Sequence, residues 1–478
     1  MDKAQILIAS NRGPVSFSIT DEDSLEHRRG GGGLVSGMIS VATEVDGVWV
    51  CAALSDADRR AASESPEARL DLRYDLEGMR VHMLDIPEET LKGAYTEIAN
   101  STLWFVQHML YDTPNKPSFG SGFRRSWEDY TAYNNAFAEA LVAGAADNAR
   151  VAVQDYHLAL VPRVLRARRP DLRIAHFSHT PWAPPEYFRM LPDDIARDLL
   201  TGMLGADRLG FLSPRWADAF LRCCAEILRA DVDLGSRTVE YGGRIIRVGV
   251  HALGADEAGL RESAAEPLVG VRREMLEELV GDRKLIVRVD RTELSKNIVR
   301  GLEAYRELLR SHPEWHGRVT HLAFAYPSRG DVPEYREYTD SVLRVAKEIN
   351  AEFATADWTP LVLEVNDDYP RSLASFQLAD VLLVNPIRDG MNLVAKEGPV
   401  LSERDSVLVL SREAGAADEL GEDALTVNPY DTVETARALH RALSMPPEER
   451  RRRRERLAEA AMALPPRRWF QDQLRSLG

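Results

Sequence analysis

Cysteine is nearly missing from this chain: 478 residues carry only Cys51, Cys223 and Cys224. An odd count without Cys-x-x-Cys spacing supports neither a disulfide framework nor a zinc site, and a reducing cytoplasm is the expected setting. Long hydrophobic runs are missing too. Ile6-Leu7-Ile8-Ala9 is too short for a signal peptide and reads as a first strand. No other stretch approaches the ~18 to 20 apolar residues of a membrane span, so no membrane partner is expected. Positive net charge is absent: 60 Lys and Arg against 75 Asp and Glu leave −15, which disfavours nucleic acid as a partner, although a local basic pocket is compatible with it. The chain has no G-K-[ST], H-E-x-x-H or G-x-S-x-G, so P-loop, zincin and α/β-hydrolase readings have no support.

What is present is an ordinary globular composition, 44% hydrophobic and 28% charged, in a chain long enough for two large domains. Short branched apolar runs alternate with longer amphipathic stretches, the pattern of βα units on parallel sheets. Strands are expected at Ile6–Ala9, Val151–Gln154, Ile174–Ser178 and Asp207–Leu212, and again at Lys284–Val289, His321–Ala325, Val381–Val384 and Ser406–Leu410. Helices are expected at Tyr130–Ala143, Ala159–Arg168, Arg215–Leu228, Val299–Arg310 and Tyr335–Asn350. Two doubly wound α/β domains follow, 1–250 and 251–460, with a tail, 461–478, whose Trp469-Phe470 should pack back on the first domain. The charge run Glu448–Arg456 is mixed in sign and reads as a solvated helix face.

Several polar residues stand where open α/β sheets bind ligands, just past the carboxyl ends of strands. Arg12 follows the first strand, and Arg291 and Lys296 follow Lys284–Val289. Cations in those places suit phosphate, and two at one strand end can neutralise a diphosphate; a surface ion pair explains each taken singly. Gly30-Gly31-Gly32-Gly33 precedes a helix-like run and would let main-chain N–H groups approach an anion, although a plain flexible loop explains the glycines as well. Asp155 and His179 occupy adjacent strand ends, placed to hydrogen-bond sugar hydroxyls or to act as an acid–base dyad. The most informative segment is Asn385-Pro386-Ile387-Arg388-Asp389-Gly390-Met391-Asn392-Leu393-Val394-Ala395-Lys396-Glu397. It reads as a strand end, a Gly turn and a helix start, with the N–H groups of Asn392 and Leu393 facing a ligand, Asp389 able to grip a hydroxyl and Glu397 a ribose diol.

The set as a whole resembles the trehalose-6-phosphate synthases, retaining glycosyltransferases of family 20 with the GT-B fold, in which two Rossmann-like domains face a central cleft. The resemblance rests on SNRGPVSF (Ser10 to Phe17), the glycine loop, Tyr95 followed by Trp104, QDYHL (Gln154 to Leu158), HTPW (His179 to Trp182), DRTELSKN (Asp290 to Asn297), SRGDV (Ser328 to Val332) and RDGMNLVAKE (Arg388 to Glu397). It implies glucose transfer from a nucleoside-diphosphate-glucose to glucose 6-phosphate. Arg12, Tyr95, Trp104 and Arg329 match holders of the acceptor phosphate, and Asp155 a contact to an acceptor hydroxyl. His179 matches a donor-sugar contact near the reaction centre. Arg291 and Lys296 match the donor-diphosphate pair, Gly32 or Gly33 the loop beside it, Asp389 with Gly390, Met391, Asn392 and Leu393 the donor sugar and phosphate, and Glu397 the ribose. His179, Asp155, Arg291, Lys296 and Asp389 are the candidate catalytic residues. With two cations and a helix N-terminus on the diphosphate, neither a metal nor another cofactor is expected; a homo-oligomer is compatible with the resemblance. Thr292-Glu293-Leu294, where a Leu-Asp-Tyr-like run is usual, and Gly398-Pro399 depart from the pattern. They bear on the nucleobase and local loop shape. Similarity of DRTELSKN to actinomycete-type relatives leans to guanosine over uridine. Two rival functions are a pseudo-glycosyltransferase joining cyclitols through nitrogen and an inactive regulatory subunit.

Overall fold

A computed structural model describes residues 3–30, 33–330 and 332–477. They divide into two compact units, Met1–Leu253 with Pro466–Gly478, and Gly254–Pro465. No helix among the described residues is long and apolar enough to cross a membrane.

The first unit is built on a nine-stranded sheet. Seven parallel strands run in the order Arg80–Leu84, Val48–Ala52, Ala4–Ala9, Ala145–Gln154, Arg173–Ser178, Arg208–Phe211 and Arg244–Val250, and the antiparallel Thr238–Tyr241 and Asp231–Asp233 close one edge. Helices on both faces bury these strands, which is why they read as continuous apolar runs: Leu7, Val50, Val151 and Ile174 are wholly buried. The chain winds outward from Ala4–Ala9 in one direction and from Ala145–Gln154 in the other. The winding therefore reverses between these two strands, where Leu7 pairs with Val151. Their carboxyl ends deliver Arg12 and Asp155.

The second unit carries six parallel strands in the order Leu361–Glu364, Val319–Tyr326, Lys284–Arg291, Val381–Val384, Val407–Ser411 and Leu425–Val427. Here the winding reverses between Lys284–Arg291 and Val381–Val384, with Ile286 opposite Val381. The amphipathic helices Ile298–Ser311, Pro333–Phe353 and Thr432–Leu443 cover the sheet, sealing Ile286, Tyr305, Ile349 and Leu439. Gly398, one of the departures noted above, lets the helix Val394–Leu401 lie close on the sheet, since a Cβ there would meet Leu382 Cδ2 at 2.3 Å.

Several elements differ from expectation. The helix expected at Tyr130–Ala143 is longer, Ser121–Gly144, and runs straight into its strand. The one expected at Ala159–Arg168 begins at Val161, because a tight turn, Tyr156–Leu158, first redirects the chain. The strand-like run Ile245–Gly249 is present as Arg244–Val250, while its hairpin partner Thr238–Tyr241 and the ribbon Val15–Ile19/Leu25–Arg29 have no apolar run to betray them. Within the charge run Glu448–Arg456 the helix is present as Pro447–Ala461, yet it is not solvated throughout. Arg450 is 6% exposed and donates to the Asp380 carboxylate at 3.1 Å and to the carbonyls of Arg404 and Asp405 at 2.9 and 3.1 Å. A guanidinium with that many acceptors offsets its own desolvation.

The chain's last helix, Pro466–Arg475, belongs to the first unit. Trp469 is fully buried, meets Phe177 edge-on at 4.7 Å and donates its indole N–H to the His251 carbonyl at 2.9 Å. Gly37 makes the docking possible, for a Cβ there would lie 2.4 Å from Pro466 Cβ.

Candidate active site

In the first unit the turn after Ala4–Ala9 is pinned from below. Trp49 Nε1 donates to Ser10 Oγ at 2.7 Å, Ser10 Oγ donates to the Arg12 carbonyl at 2.6 Å, and the buried Asn11 accepts from Tyr133 OH at 2.7 Å. Gly13 is required because a Cβ would sit 2.6 Å from Cys51 Sγ. The consequence is a rigid turn that leaves the Arg12 side chain exposed. Gly33 is the first residue of the helix Gly33–Glu44; Gly32 lies outside the described residues.

Beside that turn, Asp155 has φ 72° and ψ 169°, a conformation essentially confined to glycine that costs about 1–3 kcal/mol elsewhere. Its surroundings over-determine it: the N–H donates to Phe177 O at 2.7 Å, the carbonyl lies 3.1 Å from His176 Nε2, and Oδ1 accepts from the His179 main-chain N–H at 3.1 Å. The acid–base dyad is not formed. The His179 ring turns to the buried Gln154, Nε2 standing 2.9 Å from Gln154 Oε1. Burial, and the neighbouring His176, push the His179 pKa down to about 3, so the ring is neutral at physiological pH and holds a position rather than carrying a proton. Tyr95 stacks on His157 at 5.7 Å and 22°, and His157 Nδ1 stands 3.8 Å from Asp155 Oδ2. Tyr95 and Asp155 are thus joined through a histidine that sequence reading missed. Trp104 is 8% exposed and stacks on His108 at 3.9 Å.

In the second unit, Lys296 and Asp389 come from the two strand ends flanking the reversal point, 93 residues apart, and meet with Nζ 2.5 Å from Oδ2. Both are largely buried. Burial opposes charge on Lys296, but Asp389, Glu293 and Asp290 prevail and raise its pKa. Arg291 projects into solvent, 56% exposed, with Nη1 3.2 Å from Glu293 Oε1. The loop carrying these groups is braced from inside the sheet: the fully buried Arg288 bonds Asp290 at 2.7 Å and the Lys296 carbonyl at 3.1 Å. Asn297, with φ 57°, donates to the carbonyls of Asn385 and Pro429 at 3.0 and 2.8 Å, and Ile387 N–H donates to Ser295 O at 2.8 Å.

The Gly turn of RDGMNLVAKE is corrected in one respect. Asn392 and Leu393 do not begin the helix, which runs Val394–Leu401; Asn392 takes a left-handed φ of 78° that no helical residue can adopt. Instead its Oδ1 accepts from Ala395 N–H at 3.2 Å, and its Nδ2 donates to Asp389 Oδ2 at 3.1 Å. A second strand-end loop supports Gly390: Gly415 lies so close that a Cβ would fall 1.9 Å from the Gly390 carbonyl oxygen. Met391 is buried there, and Ala416 N–H donates to its carbonyl at 2.9 Å. Lys396 turns away from the loop into a buried pair with Glu419 at 2.5 Å. Glu397 is half-buried, and burial pushes its pKa up to about 7. Arg329 has φ 45° and donates to Tyr335 OH at 2.7 Å. Sequence reasoning missed Arg288, Glu293 and Asn297 as members of this site. Arg288 had a signal, a charged residue inside an apolar strand.

Each unit therefore collects polar groups at the place where its own strand order reverses, the position at which open sheets accept phosphorylated ligands. The model of Glycosyltransferase family 20 matches residues 4–478. A bifunctional trehalose-6-phosphate synthase/phosphatase of Thermoproteus tenax is 34% identical over 99% of this chain, which spans 63% of that protein's length. The validamine 7-phosphate valienyltransferase of Streptomyces hygroscopicus is 31% identical over 100% of this chain and 95% of its own. The crystal structure of an alpha,alpha-trehalose-phosphate synthase (UDP-forming) from Burkholderia vietnamiensis superposes with a TM-score of 0.84 at 29% identity, covering 99% of this chain and 100% of that one. The fold is GT-B, and the chain belongs to glycosyltransferase family 20.

Proposed function

We propose that the protein is a trehalose-6-phosphate synthase, transferring glucose from a nucleoside-diphosphate-glucose to glucose 6-phosphate with retention and releasing the nucleoside diphosphate. The observation that carries this reading is the Lys296–Asp389 pair beside exposed Arg291, at the reversal point of the second sheet. Arg291 and Lys296 would take the charge that grows on the leaving diphosphate, while Asp389 orients a donor-sugar hydroxyl. Arg12 and Arg329 would hold the acceptor phosphate, and Asp155, strained and fixed, an acceptor hydroxyl. The neutral His179 would position the donor sugar. Same-face attack then proceeds with a leaving diphosphate oxygen taking the acceptor's proton, the protein supplying alignment and charge.

The full-length similarity to the valienyltransferase favours one rival, coupling of cyclitols through nitrogen. Arg12 and Arg329 suit the phosphate of either acceptor, so donor and acceptor assays separate the two readings. Purified protein assayed with GDP-, UDP- and ADP-glucose should convert glucose 6-phosphate to an α,α-linked product, with kcat/KM higher for GDP-glucose than UDP-glucose. Failure of every glucose donor, with coupling of an amino-cyclitol phosphate, would replace this reading by its rival.

The raised pKa of Glu397 makes donor capture depend on pH. A ribose diol donates hydrogen bonds that only the carboxylate accepts fully, so kcat/KM for the donor should rise about tenfold between pH 6 and 8, tracking ionisation near 7. Glu397→Gln should flatten that limb. Stability moves the opposite way: the folded state holds this proton above the ordinary 4.5, so Glu397's contribution declines as pH climbs from there to about 7.

A further inference from the structure

Glu293 is not explained by anything above. It stands two residues past the strand Lys284–Arg291 and is wholly buried, 0% exposed. Oε1 accepts from Ser328 Oγ at 3.0 Å and lies 3.2 Å from Arg291 Nη1. Oε2 is equally buried, and no hydrogen-bond donor among the described residues reaches it. A buried carboxylate with an idle oxygen would ordinarily take up a proton. Burial does push the Glu293 pKa upward, but Arg291, Arg329 and Lys296 together outweigh it and hold the group below the usual range. The acid therefore favours its charged form among the three cations, all in the second unit, that the proposed function gives to phosphates.

Stability alone does not account for such a group. A buried ion pair is often no more stabilising than apolar side chains of the same volume, and an unsatisfied buried oxygen is a net cost. The placement does account for it. Through Oε1, Glu293 touches both the strand end that aims Arg291 and, by Ser328, the loop that leads to Arg329. Its backbone closes the same turn: its carbonyl accepts from Lys296 N–H at 3.0 Å, and its N–H donates to Arg291 O at 2.7 Å.

We propose that Glu293 is a positioning residue for the transfer reaction, a built-in anion that holds Arg291 and the Ser328–Arg329 loop aimed for two phosphate-bearing substrates and lowers the affinity of the cations for each. The proposal rests on the roles assigned to Arg291 and Arg329 above. It makes turnover and affinity move in opposite senses. Without the charge, phosphates gain cations they no longer share, while Arg291 loses the partner that orients it. A glutamate that only supported the loop would do otherwise: its loss would weaken binding and turnover together.

Glu293→Gln keeps the shape and removes the charge. Steady-state kinetics should show kcat lower by about 10- to 100-fold, with KM for both substrates unchanged or lower. Calorimetry with pyrophosphate, which reads the cations without any transfer, should show binding about fivefold tighter than wild type, the difference shrinking at high salt. Ser328→Ala retains the charge but frees Oε1, and should lower kcat severalfold with pyrophosphate affinity unchanged. Should the glutamine variant not fold, the Ser328 variant decides: wild-type kcat, or altered pyrophosphate binding, would overturn the proposal. In a folded Glu293→Gln, kcat within twofold of wild type, or pyrophosphate bound equally or more weakly, would overturn it as well. If wild type transfers no glucose to glucose 6-phosphate but Glu293→Gln still tightens pyrophosphate, the synthase reading fails and the charge-sharing role of Glu293 stands.

Discussion

Arg291→Ala should lower kcat roughly 10²- to 10³-fold, and Lys296→Ala by as much, because in the proposed mechanism each removes a cation that meets charge developing in the transition state. Their effects on the fold should differ. Arg291 is more than half exposed but pairs with the fully buried Glu293 at 3.2 Å, which keeps Lys296 and Arg329 nearby in charge, so the loss of stability should be about 1–3 kcal/mol. Lys296 is buried against Asp389, and its removal leaves a buried carboxylate without its cation, a change that costs about 3–5 kcal/mol. A Lys296→Ala/Asp389→Asn double variant should recover most of that stability and none of the turnover. Thermal denaturation beside single-turnover kinetics separates the two quantities. Near-wild-type turnover in Arg291→Ala would remove that cation from the mechanism, and activity restored along with stability in the double variant would do the same for Lys296.

Free glucose should be a very poor acceptor, with kcat/KM about 10²- to 10⁴-fold below glucose 6-phosphate. In the proposed role Arg12 and Arg329 would each forfeit a charge-assisted bond worth about 1.5–3 kcal/mol when the phosphate is absent. The defect should appear in kcat as well as KM, because binding energy at the remote phosphate aligns the attacking hydroxyl. Arg12→Ala should narrow the gap mainly by spoiling glucose 6-phosphate. It is a clean variant: the Arg12 side chain is exposed, while its turn is held by Ser10, Asn11 and Trp49. Glucose used as well as its phosphate by the wild type would withdraw both arginines from the acceptor.

Much of this was legible in one dimension for a simple reason: strands buried on both faces must be apolar runs, so Ile6–Ala9, Ile174–Ser178 and Val381–Val384 declare themselves, and the residues after them stand at strand ends. Arg12, Asp155, Arg291, Lys296 and Asp389 were found that way. The elements that escaped are those too short for an apolar run, such as Thr238–Tyr241, where only Val239 is buried, or those whose geometry is set by a dihedral, as at Asn392, where a left-handed φ delays the helix that the Gly turn announces.

Composition and pattern by themselves determined the class of the fold, the absence of disulfide and membrane chemistry as expectations, the strand ends that carry cations, and an aromatic tail needing cover. Partners were decided only by the tertiary structure. Periodicity reports that a strand is buried, not which strand lies beside it, and the neighbours are set by where the winding reverses. The reversal in the second sheet brings Lys296 to Asp389 across 93 residues of chain, strand pairing in the first turns the His179 ring to Gln154 instead of Asp155, and packing of the helix Pro447–Ala461 buries Arg450 in what reads as a solvated charge run. The fold also adds Arg329 to the two cations, Arg291 and Lys296, that lie beside Glu293 in sequence, and a carboxylate's protonation and role depend on such neighbouring charges.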